Sequence, residues 1–598
     1  MQKYNSRNDV PKEYKWDLND LFKNDREYEK KYNDVKKDIE KISNFKGCTN
    51  NGDKLYQFLQ KDIYISAILM RLSAYAYLIN DQELGIAKNM DRLNKIEDLE
   101  SIYYNNISFF APELMSLSQS EYDMLFSNEK LLEYKVSLDN IYRLKEHVLP
   151  EDKEIIINNL INASLNYDNT SSTMLNSLHD YGTIKINEEE EKITPTNYNR
   201  LMKNEDSNIR KKVREKYFKV IDQYATLSAS LLNAFVKTNI TNAKIHNYKD
   251  AWDRKLFNNK MPASAYDALI NAVEDNVSVL QKYFKVFKDT LKLKKIEPYD
   301  TNLEMIKLDK EYSIEEAQDL CLNAIKVLGD DYYSHFKKVF DNHYIDYACY
   351  PKKCSGGYSL SGLDFDSRIL MSYNYDLSSI STIIHEGGHN VHHQYISENN
   401  NLEYRMVSSL IAEVASLTNE CLLSSYLANN GSTKEEKLKG IENILDVIVS
   451  NLFGAVREGK MELDFYNYVN DGNMITKDYM NELTLNSLEK YYGNIVNRDN
   501  YSGLSWVRRS HYYMNYYLFA YAICISIASY VASEILDGNK DMLDKYIKFL
   551  STGADVDNPD IFKVLGIDVT DKNVYLKAIK YFDNMLDRFV ELRDEDVK

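Results

Sequence analysis

The chain has 598 residues, 44% of them hydrophobic, and carries 74 basic against 91 acidic side chains for a formal net charge of −17. That length buries a large core and accommodates more than one lobe. The acidic balance, without a dense Lys/Arg stripe, argues against a phosphate-backbone binder, so no nucleic-acid partner is expected.

Only 20 Gly and 8 Pro punctuate the chain, against 49 Tyr. Turns are therefore few and helices long, and the expected fold class is mostly α. The opening residues Met1 to Pro11 lack the apolar run that a secretory signal requires, so a cytoplasmic location is expected. Six scattered cysteines (Cys48, Cys321, Cys349, Cys354, Cys421 and Cys524) fit neither a disulfide framework nor a C-x-x-C metal site.

In chain order, helical periodicity is read over 25–43, 66–80 and 131–147. Thr183 to Ile186, an acidic turn at 187–191 and Lys192 to Pro195 read as a short hairpin. That hairpin is taken as a seam, dividing an N-terminal helical lobe, 1–195, from a catalytic domain, 196–598. The acidic runs at 187–191 and 593–596 read as a solvated turn and tail. Over 344–374, alternating residues around Gly356 and Gly357 predict a small sheet lining a cleft. Its strand at 369–374, which includes Met371, and the two glycines are candidates for binding an extended peptide, since Gly lets a second backbone approach closely.

Next comes His385-Glu386-Gly387-Gly388-His389, an H-E-x-x-H motif. It follows Asp376, Ser378 and Ser379, which are candidate caps for a helix with an apolar stripe. On a helix, residues four apart lie roughly 40° apart around the axis, so both imidazoles face one tetrahedral ion and Glu386 lies beside its open position. His392 and His393 sit about two turns beyond His385, roughly 10 Å away in rise, too far to share its metal. Catalytic zinc usually takes a third protein ligand, and Glu398, Glu403, Glu413 and Glu420 are the candidates. Met406, Leu410, Val414, Leu417 and Cys421 predict a helix over 405–427, ended by Asn429-Asn430-Gly431. An antiparallel helix there would return Glu413 toward the histidines, and Glu413 is a charge in an apolar setting that a metal would explain.

Downstream, Ser432 to Glu435 reads as a capping box. The apolar stretch 516–532 is slightly short of the ~20 residues that a span needs and is studded with Tyr and Ser, so it reads as a buried core helix and no membrane partner is expected. Tyr513, Tyr517 and Tyr521 are spaced by four and would form one helix face.

Taken together, the motifs resemble the thimet-type oligopeptidases, and within them the bacterial oligoendopeptidase F branch. The resemblance rests on His385, Glu386, Gly388, His389 and His392, and on Glu413, Ser416 and Glu420. It extends to Lys353 through Ser359, the strand Ile369 to Asn374, and the run His511, Tyr513, Tyr517 and Tyr521. The opening Val10 to Leu18 is similar as well. Cys354, Phe519 and Cys524 depart from the family's usual Arg, Tyr and Gly, which touches substrate anchoring rather than reaction class.

The resemblance implies a fold of two helical lobes enclosing a deep channel, with a small β-sheet near the metal. It implies one Zn2+ per chain on His385, His389 and Glu413, with Glu386 as the general base toward a zinc-bound water and short peptides as substrates. His511, Tyr521 and then Tyr517 are the expected catalytic donors. Gly356, Gly357, Met371 and Tyr513 are the expected substrate contacts. Two other readings compete. A zinc aminopeptidase needs G-x-M-E-N upstream of the motif, whereas the nearest string, Gly459 to Leu463, lies downstream and lacks the Asn. A catalytically silent peptide-binding protein is disfavoured because all the ligand positions and Glu386 are filled.

Overall fold

Short polar side chains set where the helices begin. In the computed structural model of the chain, Asn24, Asn51, Asp206, Asp250, Asp376 and Thr476 each accept a backbone N–H from the first turn of the helix that follows. Each satisfies one of the donors that a helix start leaves open. The structure describes residues 4–163, 166–177 and 179–595. Met1 to Lys3 of the opening and Asp596 of the acidic tail lie outside the described residues. The fold is mostly α, as expected, with two small sheets.

The chain divides into two compact units, each assembled from three stretches. Unit 1 comprises residues 1–146, 309–426 and 531–567. Its core gathers on the helix Gly52–Gln82, where Leu55, Phe58, Ile65 and Leu72 are fully buried. Phe365 and Leu370 of the sheet join the same cluster. The periodicity over 66–80 marks only the latter half of this helix. The predicted helix over 131–147 is broken instead into a 3-10 turn, the helix Lys135–Tyr142 and a second 3-10 turn.

Unit 2 comprises 147–308, 427–530 and 568–598. Strands β1 (Thr183–Ile186) and β2 (Glu189–Lys192) form the expected hairpin within it. Only Asn187 and Glu188 make the turn, both with positive φ (48° and 71°), as a tight hairpin whose twist matches its strands requires. Glu189 to Glu191 are therefore strand residues rather than turn. The capping box also sits one residue later than expected: Thr433 caps Lys434–Ile448, and Glu436 reaches back to the backbone N–H of Ser432. The helix Leu518–Leu536 is long and apolar enough to cross a membrane, yet 72% of its most apolar stretch is buried in the fold; Gly52–Gln82 is long and apolar enough as well, and 50% buried.

The second sheet belongs to unit 1 and has the order β3-β5-β4, from β3 (Ile345–Asp346), β4 (Tyr358–Gly362) and β5 (Phe365–Leu370). β3 runs parallel to β5 and β4 antiparallel to it. β5 is thus the central strand, and Met371, which extends it, donates its N–H to Asp346 and accepts Lys353 at its carbonyl. The edges belong to β3 and β4, not to the strand that the sequence singled out.

Lys353 holds this sheet from beneath. Its Nζ donates to the carbonyls of Asp346, Ala348 and Met371 at 2.7–2.9 Å and pairs with the Asp346 carboxylate at 2.8 Å, both side chains being 1% exposed. Removing one member of a buried ion pair strands the other. Lys353→Met is therefore expected to destabilise the protein toward the lower end of about 3–5 kcal/mol, because Arg7 still reaches Asp346 at 2.6 Å. Urea unfolding of the full chain checks this, and an unchanged midpoint would mean that the pair does not hold the sheet.

Candidate active site

Asp376 opens the helix Leu377–Asn399 by accepting the N–H of Ser379, and the helix carries His385 and His389 on successive turns with Glu386 next to the first. Two glycines between the histidines are explained by what stands against them. A Cβ at Gly387 would lie 2.4 Å from the ring of Phe336, and one at Gly388 would lie 2.8 Å from the Cα of Ser416. Gly in a helix interior costs about 1 kcal/mol relative to Ala; here it lets the helix Ser409–Asn430 approach backbone to backbone. That helix starts four residues later than the periodicity predicts, after a 3-10 turn at Leu402–Tyr404. Asn419, fully buried, donates to the carbonyl of Ile384 at 3.3 Å and accepts Tyr332 at 2.9 Å, which ties the two helices in one register.

This register brings Glu413 to the histidines. Its Oε2 lies 3.5 Å from Nε2 of His385 and 3.8 Å from Nε2 of His389, and ligand atoms of all three side chains lie within 4.8 Å of one another. Donors on a tetrahedral ion at about 2.0–2.1 Å stand roughly 3.3 Å apart, so two imidazoles and a carboxylate at these separations fit a zinc-type ion after small movements. Each ligand is also held from the same second helix. His385 Nδ1 is 2.5 Å from Glu420 Oε1, His389 is hydrogen-bonded to the backbone of Ala412, and Glu413 accepts the Ser416 hydroxyl at 3.0 Å.

Glu420 was open as a third ligand from sequence. The structure instead sets it on the far nitrogen of His385, where it fixes the tautomer and leaves Nε2 to face Glu413. Its position seven residues after Glu413, two turns along the same helix face, is the signal that would have suggested this. Glu398 pairs with His335 at 3.1 Å, and Glu403 lies on the intervening 3-10 turn. His392 stacks on Phe549 and is buried away from the cluster's ligand set.

Glu386 is 8% exposed, and burial pushes its carboxyl up to about 6, opposed by the charge of His385 and reinforced by Glu413 and Glu420. The backbone N–H of Ser359 in β4 reaches it. A Cβ at Gly357 would meet Thr382 at 2.8 Å and stand 3.9 Å from Glu386 Oε1, so the glycine lets β4 lie against the motif helix. Gly356, at φ +97°, turns the chain in the left-handed region that favours glycine, with open space around it. For His385, burial lowers basicity, but Glu420, Glu386 and Glu413 outweigh it and raise its pKa to about 9; His389, buried and next to His385, falls to about 3.

His511, Tyr513, Tyr517 and Tyr521 lie in unit 2. They do not share one helix face. Asn515 and Tyr516 have φ of 49° and 58°, which breaks the helix, and the regular turns begin only at Leu518. His511, Tyr517 and Tyr521 nevertheless gather, with ring centroids 5.2–6.3 Å apart. Tyr513 packs instead on Phe235 at 5.2 Å and is hydrogen-bonded to Ser171. Burial and the neighbouring Arg509 lower the pKa of His511.

Two imidazoles and a carboxylate poised for one ion, with a second carboxylate alongside, are the donor set of a metallopeptidase. The chain belongs to peptidase family M3: its match to "Peptidase family M3" covers residues 200–581, and a match to "Oligopeptidase F" covers 113–178. It is similar to the oligopeptidase PepF of Bacillus subtilis, at 29% identity over 98% of this chain and 88% of the relative. It is also similar to the group B oligopeptidase PepB of Streptococcus agalactiae, at 26% identity over 98% of each. The crystal structure of oligoendopeptidase F from Enterococcus faecium shares the fold, with a TM-score of 0.73 at 24% identity over 96% of this chain and 99% of that one. The protein is a metallo-oligopeptidase that hydrolyses peptides.

The Glu420–His385 contact makes a pH-dependent prediction. A metal must displace the proton that His385 holds below about 9, so affinity for Zn2+ in the wild type should fall about tenfold per unit as pH drops from 9. Glu420→Gln should bind Zn2+ about 10- to 100-fold more weakly at pH 9.5, where proton competition is over. Its decline should begin at lower pH, because its His385 is less basic. Chelator competition across pH 6.5–9.5 measures both, and coincident curves would refute the role given to Glu420.

Proposed function

We propose that this enzyme is a zinc-dependent endopeptidase that cuts internal bonds of short oligopeptides in the cytoplasm. The reading is carried by one observation: His385, His389 and Glu413 converge at 3.5–3.8 Å while Glu386, buried beside them on the same helix, has its carboxyl pushed up to about 6. Two histidines and a glutamate are a ligand set that catalytic zinc uses, and Glu386 beside them supports zinc over the other divalent ions that such donors accept. When bound, Zn2+ supplies Lewis acidity toward the scissile carbonyl and makes a water at its open position more acidic.

Glu386 accepts the proton of the attacking water and returns it to the leaving nitrogen. Before a metal binds, its burial holds the carboxyl above an ordinary one, which favours accepting a proton. Glu420 orients His385. Gly356 and Gly357 allow a peptide backbone to approach β4, with Met371 supporting from the adjoining strand. His511, Tyr521 and Tyr517 are assigned to substrate contact and oxyanion support, and Tyr513 to substrate binding, on the family resemblance. The division into an N-terminal helical lobe (1–195) and a catalytic domain (196–598) is proposed with it, supported by family matches that break between 178 and 200.

Glu386→Gln should retain one zinc per chain by metal analysis and lose about three orders of magnitude in turnover, since it removes the base and leaves the ligands. The assay uses peptides with a quenched pair flanking an internal bond, beside end-labelled peptides. Near-normal cleavage by the variant would remove Glu386 from the role, and release of only terminal residues would replace the endopeptidase reading by an exopeptidase one. Tyr521→Phe should lower kcat far more than it raises KM, as a donor acting mainly in the transition state does; unchanged kinetics would move the role to Tyr517.

A further inference from the structure

Unit 2 contains a cavity of about 570 Å3 lined by five arginines, Arg214, Arg457, Arg498, Arg508 and Arg509, together with Glu458. None of the residues proposed for catalysis lines it. In a chain of net charge −17 such a concentration of guanidinium groups runs against the overall balance.

The arginines are not neutralised by their neighbours. Arg214 pairs with Asp499 through two contacts of 2.6 and 3.0 Å. Glu458 is shared, taking Arg457 at 2.7 Å and Arg509 at 2.5 and 2.8 Å. Arg498 donates to the Gly493 carbonyl at 2.9 Å, and Arg508 lies over the rings of Tyr198 and Tyr217 at 4.3 and 4.9 Å. Among the described residues, two carboxylates thus meet five cations. Arg457 is the most constrained: it is 7% exposed and its Nε has no hydrogen-bond partner. A buried, incompletely paired guanidinium is costly unless something completes its shell.

The excess of guanidinium groups over carboxylates favours an anion, and the planar fork of arginine matches phosphate oxygens in pairs. The cavity is also too large for a bare inorganic anion and lies within the roughly 300–1,000 Å3 range of organic-ligand sites. Its wall includes Phe218, Phe284 and Tyr492, the last two packed edge to face at 5.1 Å, which places aromatic surface beside the charge. We propose that this cavity binds a phosphorylated small molecule of mononucleotide size, with its phosphate on Arg457, Arg498 and Arg508 and its ring against the aromatic wall. The ligand is separate from the peptide substrate, and its binding does not depend on the zinc reading.

The test titrates the zinc-loaded full-length enzyme calorimetrically with adenosine monophosphate, inorganic phosphate and adenosine at constant ionic strength and without magnesium. The expected result is one adenosine monophosphate per chain with a Kd of about 1 mM or below, and at least about tenfold weaker binding of the two fragments. Arg498→Gln, a half-buried position, and Arg457→Gln should each weaken binding about tenfold or more, as losing a charged hydrogen-bond donor does, while zinc content stays at one per chain. Hydrogen exchange should slow at 449–458 and 496–509 on binding. The proposal is overturned if the folded enzyme binds no adenosine monophosphate at 10 mM or if both variants bind it as the wild type does. It is equally overturned if inorganic phosphate binds as tightly, leaving a simple anion site. Displacement by a peptide with a free C-terminal carboxylate, but not by its amide, would assign the cavity to substrate instead.

Discussion

The candidate metal site depends on how closely two helices pack. Gly388 removes the side chain that would otherwise strike Ser416 Cα at 2.8 Å, and a Cβ there would have to push Ser409–Asn430 outward. Every ligand contact then suffers together, because Glu413, Glu420 and the Ala412 backbone are all borne by that one helix. Asn419 complements the glycine. Gly388 permits the approach, and the buried amide of Asn419 between Ile384 and Tyr332 selects one axial register out of those the approach allows. A slip of one residue would turn Glu413 about 100° away from the histidines.

Around this contact the protein concentrates charge that solvent does not neutralise. Glu386, Glu413 and Glu420 face His385 and His389, and the two imidazoles, similarly buried, end in opposite directions, at about 9 and about 3. Glu420, which His385 touches, together with Glu386 and Glu413 outweighs burial there, whereas burial and the charges of His385 and His392 all lower His389. A divalent cation resolves that imbalance, since it offsets the carboxylates and requires both imidazoles neutral. Lys353 plays a comparable part under the sheet, where three carbonyls and Asp346 share one ammonium. Because β4 packs on the motif helix through Gly357, that sheet sets the surroundings of Glu386.

Much of this was legible in the sequence, and for a local reason. The H-E-x-x-H spacing, the Asp376 cap and the apolar stripe after it are properties of one helix, whose 3.6-residue period converts sequence spacing directly into geometry. The scarcity of Gly and Pro in the same way implied long helices and a mostly α fold. Where local order fails, so does the spacing rule. Tyr513, Tyr517 and Tyr521 have helical spacing, but the left-handed backbone at Asn515 and Tyr516 interrupts it and turns Tyr513 toward Phe235. The break over 131–147 and the late start at Ser409 are failures of the same kind, since an apolar stripe does not reveal where hydrogen bonding shifts to a 3-10 pattern.

By itself the sequence determined the motif helix, the identity of its two histidines and carboxylate, and a short set of acidic candidates for the remaining position. Tertiary structure brings one of those candidates, Glu413, to the two histidines. Glu413 and Glu420 lie on one helix two turns apart, and which faces the metal and which the back of an imidazole depends on the register between two helices separated by a loop. That register is set by a glycine's missing side chain and a buried amide, interactions between residues about 30 positions apart that no periodicity encodes. The arginine cavity is a product of tertiary structure for the same reason. Its five guanidinium groups come from three stretches of chain between 214 and 509, and each looks in sequence like an ordinary surface charge.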